Sequence, residues 1–264
     1  MEQDTLRVGL IGYGAIGQGV AHLIDERAAK DITLVGALVR HPAHLRPPGG
    51  PNIVATLSML LDKQPHVIVE AAGHGGLREH GPAILRAGVD LILVSVGALA
   101  DPDLFRALLE AAQMGGTQAK VASGAIGALD ALAAASLGGL TSVIHTMRRS
   151  PQTLLPPEEA ASLTSTREVF RGSARQAAQQ FPEFLNIAAA VALAGRGFDQ
   201  TEVRVLADPA VRHSLHEIQA EGAFGVLRFE IENVPISFPA PGARLVAMSI
   251  VRALLSRRAS FVIG

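Results

Sequence analysis

The sequence predicts an α/β fold, in which a doubly wound parallel sheet is joined to a second domain of α+β type. The first domain is predicted by short Val- and Ile-rich runs, apolar throughout, that alternate with segments of helical period. The second domain is predicted by strands that alternate between apolar and polar residues, as do strands with one buried and one solvent-exposed face. We expect a dinucleotide-binding domain at residues 1–125 and a substrate and dimerisation domain at residues 126–240. A C-terminal helix, residues 241–264, is expected to pack back on the first domain.

Each expected element has its own local signal. The strands of the first domain are expected at residues 6–12, 32–39, 66–72, 90–96 and 119–123. Those of the second are expected at residues 142–149, 164–170, 201–208, 216–225 and 226–234. A long helix over residues 173–195 carries Pro182, which is expected to kink or split it. The segment 243–255 is apolar almost all round, which predicts a buried helix.

Composition excludes several classes of protein. The chain of 264 residues has a formal net charge of −1, whereas nucleic-acid-binding domains are usually strongly basic. It contains no cysteine, so disulfides and thiolate zinc sites are excluded, and we expect no metal. No apolar run approaches the roughly 18 residues of a membrane span, and the acidic start MEQDTLRVG does not resemble a signal peptide. We therefore expect a soluble, cytoplasmic protein.

A glycine turn between the first strand and the first helix indicates a dinucleotide site of Rossmann type. The pattern is Gly12-x-Gly14-x-x-Gly17, with Tyr13, Ala15 and Ile16 completing the turn. The first glycine permits the tight turn, the second lets a pyrophosphate approach the backbone, and the third lets helix and strand pack closely. A phosphate there meets free N–H groups and the positive end of the helix dipole. The turn predicts NAD or NADP as cofactor.

The second strand ends without the carboxylate that usually holds the ribose 2′-hydroxyl, about 20 residues beyond the turn. Arg40 stands there instead, followed by His41. A guanidinium can bind a 2′-phosphate, so we expect NADP to be accepted alongside NAD. The alternative is an ordinary surface arginine at a strand end. Ala72, at the end of the third predicted strand, is also expected to contact the cofactor.

The residue inventory restricts the acid/base group that accompanies hydride transfer. The only tyrosine, Tyr13, lies in the glycine turn, and all three lysines lie in the first domain, so histidine or a carboxylate remains. In HEIQAEG, period two places His216 on the face opposite Glu217, where its ring is either poised for proton transfer or part of the core. His145 and His213 are weaker candidates.

Two further segments favour a small anionic substrate. Gly172 and Ser173 stand where the long helix should begin, and a helix start can hold a carboxylate through its free N–H groups. The alternative is that Ser173 simply caps the helix. Arg148 and Arg149 either pair with a second carboxylate or face solvent.

Several segments together resemble the L-aspartate dehydrogenase family, over residues 6 to about 255. They are GLIGYGAIG, VSVGALAD, ASGAIGALDAL, RGSARQAAQQFPEFLNIAAAVALAG, ADPAVRHSLHEIQAEGAFG and the closing apolar helix. The resemblance implies oxidation of L-aspartate with NAD or NADP to iminoaspartate. Water then releases oxaloacetate and ammonia, or the imine passes to pyridine nucleotide (NAD) biosynthesis. It also implies a homodimer formed through the sheet of the second domain.

The resemblance also implies roles for individual residues. The family's catalytic histidine falls on His216, in SLHEIQAEG, and would transfer a proton and polarise the amine or imine carbon. Cofactor contacts fall on Ala125 and Asn186, and the loop that holds a substrate carboxylate falls on Gly172 and Ser173.

One departure affects the expected substrate. Family members often carry Lys-Asn where this chain has Glu183-Phe184, which would attract a dicarboxylate less strongly. Two alternatives therefore stay open: a related reductase of another small amino or oxo acid, and a non-catalytic protein that senses the dinucleotide.

Overall fold

The chain divides into two compact units, residues 1–124 with 236–264, and residues 125–235. A computed structural model describes residues 5–41, 50–181, 186–234 and 244–263. Pro182 and the pair Glu183-Phe184, singled out in the sequence, lie outside the described residues, as do positions 241–243 of the expected C-terminal helix. Among the helices within these ranges, none has both the length and the apolarity needed to cross a bilayer.

The first unit contains a six-stranded parallel sheet. Its strands are β1 (Leu6–Ile11), β2 (Ile32–Leu38), β3 (Ile53–Val54), β4 (Val67–Glu70), β5 (Asp90–Leu93) and β6 (Ala119–Val121). Its helices are α1 (Ala15–Arg27), α2 (Leu57–Leu61), α3 (Gly73–Arg86), α4 (Pro102–Gly115) and α9 (Arg244–Ser256). The strand order is β3-β2-β1-β4-β5-β6, which confirms the predicted fold class. The two-residue strand β3 is not among the predicted strands.

Helices cover both faces of this sheet because its strands are apolar on both sides. On one face α1 and α9 share a core with the strands, in which Val20 and Ile24 meet Ile250 and Leu254. On the other face α3 and α4 pack together over β5 at Gly81, where an added Cβ would lie 2.8 Å from Leu108. The strand order reverses between β1 and β4, and in such sheets the crevice at that point takes the ligand.

The second unit contains a five-stranded mixed sheet in the order β11-β10-β7-β9-β8. Its strands are β7 (Leu140–Arg149), β8 (Arg167–Ser173), β9 (Glu202–Ala207), β10 (Ser214–Gly222) and β11 (Gly225–Asn233). Its helices are α5 (Leu129–Ser136), α6 (Pro157–Ser162), α7 (Ala174–Gln180) and α8 (Asn186–Ala194). Leu132 and Val191 from the helices pack on Val143 and Ile218 of the sheet, which places the core of this unit on one face.

The bounds of β10 differ from the sequence expectation in a way that matters for the site. The predicted strand, residues 216–225, starts too late and ends too late. Gly222 and Gly225 close a two-residue hairpin turn, and Gly225 has a φ of +113°, which side-chain-bearing residues rarely adopt. At its start the strand includes Ser214, which brings that hydroxyl beside His216.

Candidate functional site

The glycine turn of the first unit is tight because two of its glycines are in contact with backbone. Gly12 has a φ of +88°, and a Cβ there would lie 2.4 Å from the carbonyl oxygen of Ala71. A Cβ on Gly17 would lie 2.4 Å from the carbonyl oxygen of Gly12. Side chains at either position would push the first turn of α1 away from the end of β1. The roles predicted for these two glycines match this geometry.

The remaining glycine of the turn faces open space. A Cβ on Gly14 would meet nothing within 4 Å, and Gly14 is the exposed N-cap of α1. No side chain caps the helix start and its first turn carries no acidic residue, so nothing there repels an anion. Ala15 and Ile16 are half-buried, and burial raises the pKa of Tyr13. The open backbone and the uncapped helix start fit a dinucleotide pyrophosphate.

The position expected to select between NAD and NADP lies beyond the end of β2. The strand ends at Leu38, and Arg40 follows as an exposed residue, beside the exposed His41. No carboxylate occupies residues 38–41. The described part of this loop therefore offers a positive charge where a ribose-binding acid would stand.

A buried carboxylate that sequence reasoning missed organises the next two loops. Glu70 ends β4, is 1% exposed, and accepts hydrogen bonds from the N–H groups of Ala72, Val94 and Ser95 at 2.8–3.4 Å. It also accepts one from the Ser95 hydroxyl at 2.8 Å. Ala72 in turn lies against the glycine turn, since a Cβ on Gly12 would be 2.9 Å from its Cα. The available signal was a lone acid at the end of the apolar strand VIVE.

In the second unit His216 lies in a buried pair of histidines. Nδ1 of His216 lies 3.1 Å from Nε2 of His145, and the two rings lie edge to edge, within 7° of parallel. Nε2 of His216 lies 2.9 Å from Oγ of Ser214. His216 is 2% exposed and His145 is 1% exposed. Both nitrogens of His216 therefore have a partner within hydrogen-bond distance. One of the two partners is His145, the histidine that the sequence offered as a weaker candidate.

Burial keeps both rings neutral at pH 7. Desolvation, and to a smaller extent the positive charge of Arg149, lowers the pKa of His216 to about 4. Desolvation, with a smaller contribution from His216, lowers the pKa of His145 to about 3. Burial also lowers the pKa of Arg149. The charge of the Arg149 guanidinium therefore acts on the neutral ring of His216.

The expected carboxylate site at the start of α7 has no free N–H groups. Ser173 and Gln176 form a capping box, in which each side chain accepts from the backbone N–H of the other residue. The N–H groups of Ala174 and Arg175 donate to the carbonyls of Thr201 and Phe198. Protein acceptors therefore already occupy the donors through which this helix start was expected to hold an anion, and the substrate role of Gly172 and Ser173 stays a prediction.

The structure does not bring Gly172 and Ser173 to His216. Both residues belong to β8, which is separated from β10 by β9 and β7. Three strand spacings correspond to about 14 Å. Arg148 is also engaged, because it pairs with Asp208 and Glu217, both at 3.3 Å.

The two cofactor residues implied for the second unit are half-buried. The carbonyl of Ala125 accepts a hydrogen bond from the side chain of Asn233 at 3.0 Å. Asn186 is the first residue of α8, in which residues 188–192 are buried. Within the described ranges, no group of three or more His, Asp or Glu residues could hold a metal ion.

Known proteins match the chain along nearly its whole length. A family model described as "Aspartate dehydrogenase, C-terminal" matches residues 130–257, and one described as "Homoserine dehydrogenase, NAD binding domain" matches residues 12–122. An L-aspartate dehydrogenase of Ruegeria pomeroyi is 43% identical, over 98% of this chain and 95% of its own length. One of Ralstonia pickettii is 39% identical, over 96% of this chain and 97% of its own length.

A solved structure is similar over the same length. The crystal structure of aspartate dehydrogenase from Thermotoga maritima matches with a TM-score of 0.83 and 26% sequence identity. The match covers 99% of this chain and 100% of that one, so both units are included.

Proposed function

Because the chain belongs to the L-aspartate dehydrogenase family, we propose that it oxidises L-aspartate to iminoaspartate, which water converts to oxaloacetate and ammonia. The resemblance inferred from the sequence motifs is confirmed, and so is the cofactor class, since the first unit is an NAD(P)-binding domain of an oxidoreductase. The substrate's amine loses a proton while its Cα loses a hydride. The chain must therefore supply a binding surface and one acid/base group.

The cofactor would be held by the glycine turn and the loops beside it. Gly14 and the uncapped start of α1 bind the pyrophosphate, while Tyr13, Ala15 and Ile16 shape the turn around it. Ala72 borders the same turn, and Arg40 contacts the 2′-phosphate of NADP. The family resemblance implies that Ala125 and Asn186 would also contact the cofactor. A nicotinamide held there would supply the acceptor for the hydride that leaves Cα of aspartate.

His216 carries the proton transfer, and its environment is the single observation that supports this role most. The ring is neutral at pH 7, so it can accept a proton, and its two nitrogens are held by His145 and Ser214. The charge of Arg149 also acts on this ring and disfavours its protonated form. A substrate carboxylate placed beside Arg149 would offset that charge, and so remove the smaller of the two causes that lower the pKa of His216.

At Gly172 and Ser173 a substrate carboxylate would have to compete with protein acceptors, because the backbone N–H groups at the start of α7 already donate to them. Arg149 is the better candidate for one carboxylate because its charge reaches His216. Ser173→Ala should therefore change stability more than the KM for aspartate.

Replacement of His216 tests the proposal. His216→Ala should lower kcat for aspartate oxidation by about 10²–10⁴-fold, the usual contribution of a general acid/base, with the Kd for NADPH changed less than about twofold. Turnover is followed by the absorbance of the reduced nicotinamide at alkaline pH, where the substrate amine is deprotonated. His213→Ala, in the same segment, is the matched control and should keep wild-type kcat.

Two results would contradict this assignment. A His216→Ala enzyme within a few-fold of wild type would remove His216 from the mechanism. Faster turnover of alanine, glutamate or homoserine than of aspartate by the wild-type protein would instead indicate another small amino acid as substrate.

The second unit also supports a homodimer, which the family resemblance implies. One face of its sheet has a hollow of about 500 Å³ lined by charges of both signs, Arg148, Arg204 and Arg228 with Glu217 and Glu230. Opposite charges on one face can pair with their own copies across a two-fold axis. Light scattering of the wild-type protein and of Arg228→Glu tests this: the wild type should be dimeric and the variant weakened. A cytoplasmic location stays a prediction, compatible with the absence of cysteine.

A further inference from the structure

His145 is a buried polar residue that the proposed reaction does not use directly. Its ring is 1% exposed, on the inward face of β7 opposite Ile218 of β10 and Val203 of β9. Its Nε2 lies 3.1 Å from Nδ1 of His216, while its Nδ1 has no hydrogen-bond partner among the described residues. A ring in this position costs desolvation free energy that an apolar side chain of similar volume would not.

We propose that His145 is the positioning residue of the acid/base: it accepts the proton on Nδ1 of His216 and so leaves Nε2 as the nitrogen that reacts. This inference rests on the proposed function of His216. For Nε2 to take a proton from substrate it must carry a lone pair, so the proton of the neutral ring lies on Nδ1. The neighbour of Nδ1 is Nε2 of His145, which accepts that N–H, so the proton of the neutral His145 ring lies on its own Nδ1.

The other side of the ring fits the same assignment. Oγ of Ser214 lies 2.9 Å from Nε2 of His216, and its hydroxyl donates to the lone pair in the free protein. Ser214 is only half-buried, whereas His145 is fully buried, so the accessible nitrogen is Nε2. When Nε2 takes the substrate proton, the N–H to His145 remains and the imidazolium keeps an acceptor.

The arrangement of the two rings fits this hydrogen bond. The rings lie within 7° of parallel with centroids 5.4 Å apart, so they are nearly coplanar and the bond from Nδ1 of His216 to Nε2 of His145 runs in the plane of both. Loss of a buried acceptor leaves the ring free to hold either tautomer, and only one of them has a basic Nε2.

The test compares two substitutions at position 145. His145→Leu removes the acceptor and keeps the volume, and should lower kcat about tenfold with KM for aspartate changed less than about twofold. His145→Gln places an amide oxygen where the ring nitrogen lay, and should keep kcat within about threefold of wild type. Val203→Ala is the matched control, a buried change opposite His145 that touches no hydrogen bond, and should not change kcat.

Nitrogen NMR of histidine-labelled protein, assigned by loss of a signal in His216→Ala, provides a readout that packing alone does not alter. In the wild-type protein Nδ1 of His216 should be protonated and Nε2 bare, with a mixture in His145→Leu. A protonated Nε2 in the wild type overturns the proposal. A His145→Leu enzyme as fast as Val203→Ala, or a His145→Gln enzyme as slow as His145→Leu, overturns it as well.

The proposed function can fail separately. If the wild-type protein does not oxidise aspartate, or His216→Ala keeps full turnover, that function is wrong, and the tautomer measured in wild type and His145→Leu still decides whether His145 orients the ring.

Discussion

Alanine at Gly12 should mainly lower stability and alanine at Gly14 should mainly lower cofactor affinity, although the two glycines are only two residues apart. At Gly12 the new Cβ would lie 2.4 Å from the Ala71 oxygen, 2.7 Å from its carbonyl carbon and 2.9 Å from Cα of Ala72. All three are backbone atoms, so relief requires the chain itself to move. The φ of +88° adds a second cost, because L-residues disfavour that region.

The two costs can be worked out separately. Overpacking of a tight site costs about 1–3 kcal/mol, and positive φ about 1–2 kcal/mol, so Gly12→Ala should lower the free energy of unfolding by about 2–5 kcal/mol. At Gly14, φ is −80° and an added Cβ would meet nothing within 4 Å. The only cost of Gly14→Ala to the free energy of unfolding is then a poorer N-cap, below about 1 kcal/mol. That Cβ would occupy the space of the pyrophosphate, so NADPH affinity should fall about tenfold or more, equivalent to about 1.4 kcal/mol.

Urea unfolding measures the first effect and NADPH fluorescence titration the second. Far-UV circular dichroism reports on the whole chain, while the only tyrosine, Tyr13, reports on the turn itself. The two probes together show whether the first unit unfolds alone. A Gly12→Ala protein as stable as wild type would refute the steric argument. A Gly14→Ala protein that binds NADPH normally would refute the placement of the pyrophosphate.

Three further predictions follow from buried or charged groups. Because His145 and His216 have folded-state pKa values of about 3 and about 4, against 6.5 when unfolded, the unfolded chain binds more protons below pH 6.5. Stability should therefore fall by roughly 1.4 kcal/mol per pH unit for each ring as the pH drops from 6.5 towards about 4. When urea unfolding is measured over that pH range, His145→Gln should remove the contribution of one ring to the pH dependence of the unfolding free energy. An unchanged slope of unfolding free energy against pH would contradict the lowered pKa of His145. Glu70→Gln should cost about 1–3 kcal/mol of unfolding free energy, because its amide would face backbone donors; wild-type stability would show that these bonds contribute nothing. Arg40→Ala should weaken NADPH about tenfold and leave NADH unchanged, and equal effects on both cofactors would assign Arg40 to the surface.

Much of the first unit was predictable because its signals are local. The strand VGLIG, the glycines at 12, 14 and 17 and the helix after them fix a strand, a turn and a helix without reference to the rest of the chain. Strand β3 was missed because two residues are too few to show a period. The start of α7 was placed correctly at Ser173, but whether its N–H groups were free depended on Thr201 and Phe198, more than 20 residues away.

The sequence by itself determined the nucleotide-binding half, the family and His216 as the candidate acid/base, since each depends on residues that are neighbours along the chain. Only the tertiary structure decided what surrounds His216. His145 lies 71 positions away, and the contact between them depends on the register in which β7 and β10 pair. A shift of one residue would turn either ring to the opposite face of the sheet. That register is supported by packing of the covered face, where Val143 of β7 shares a core with Ile218 and Ala220 of β10, and no local pattern encodes it.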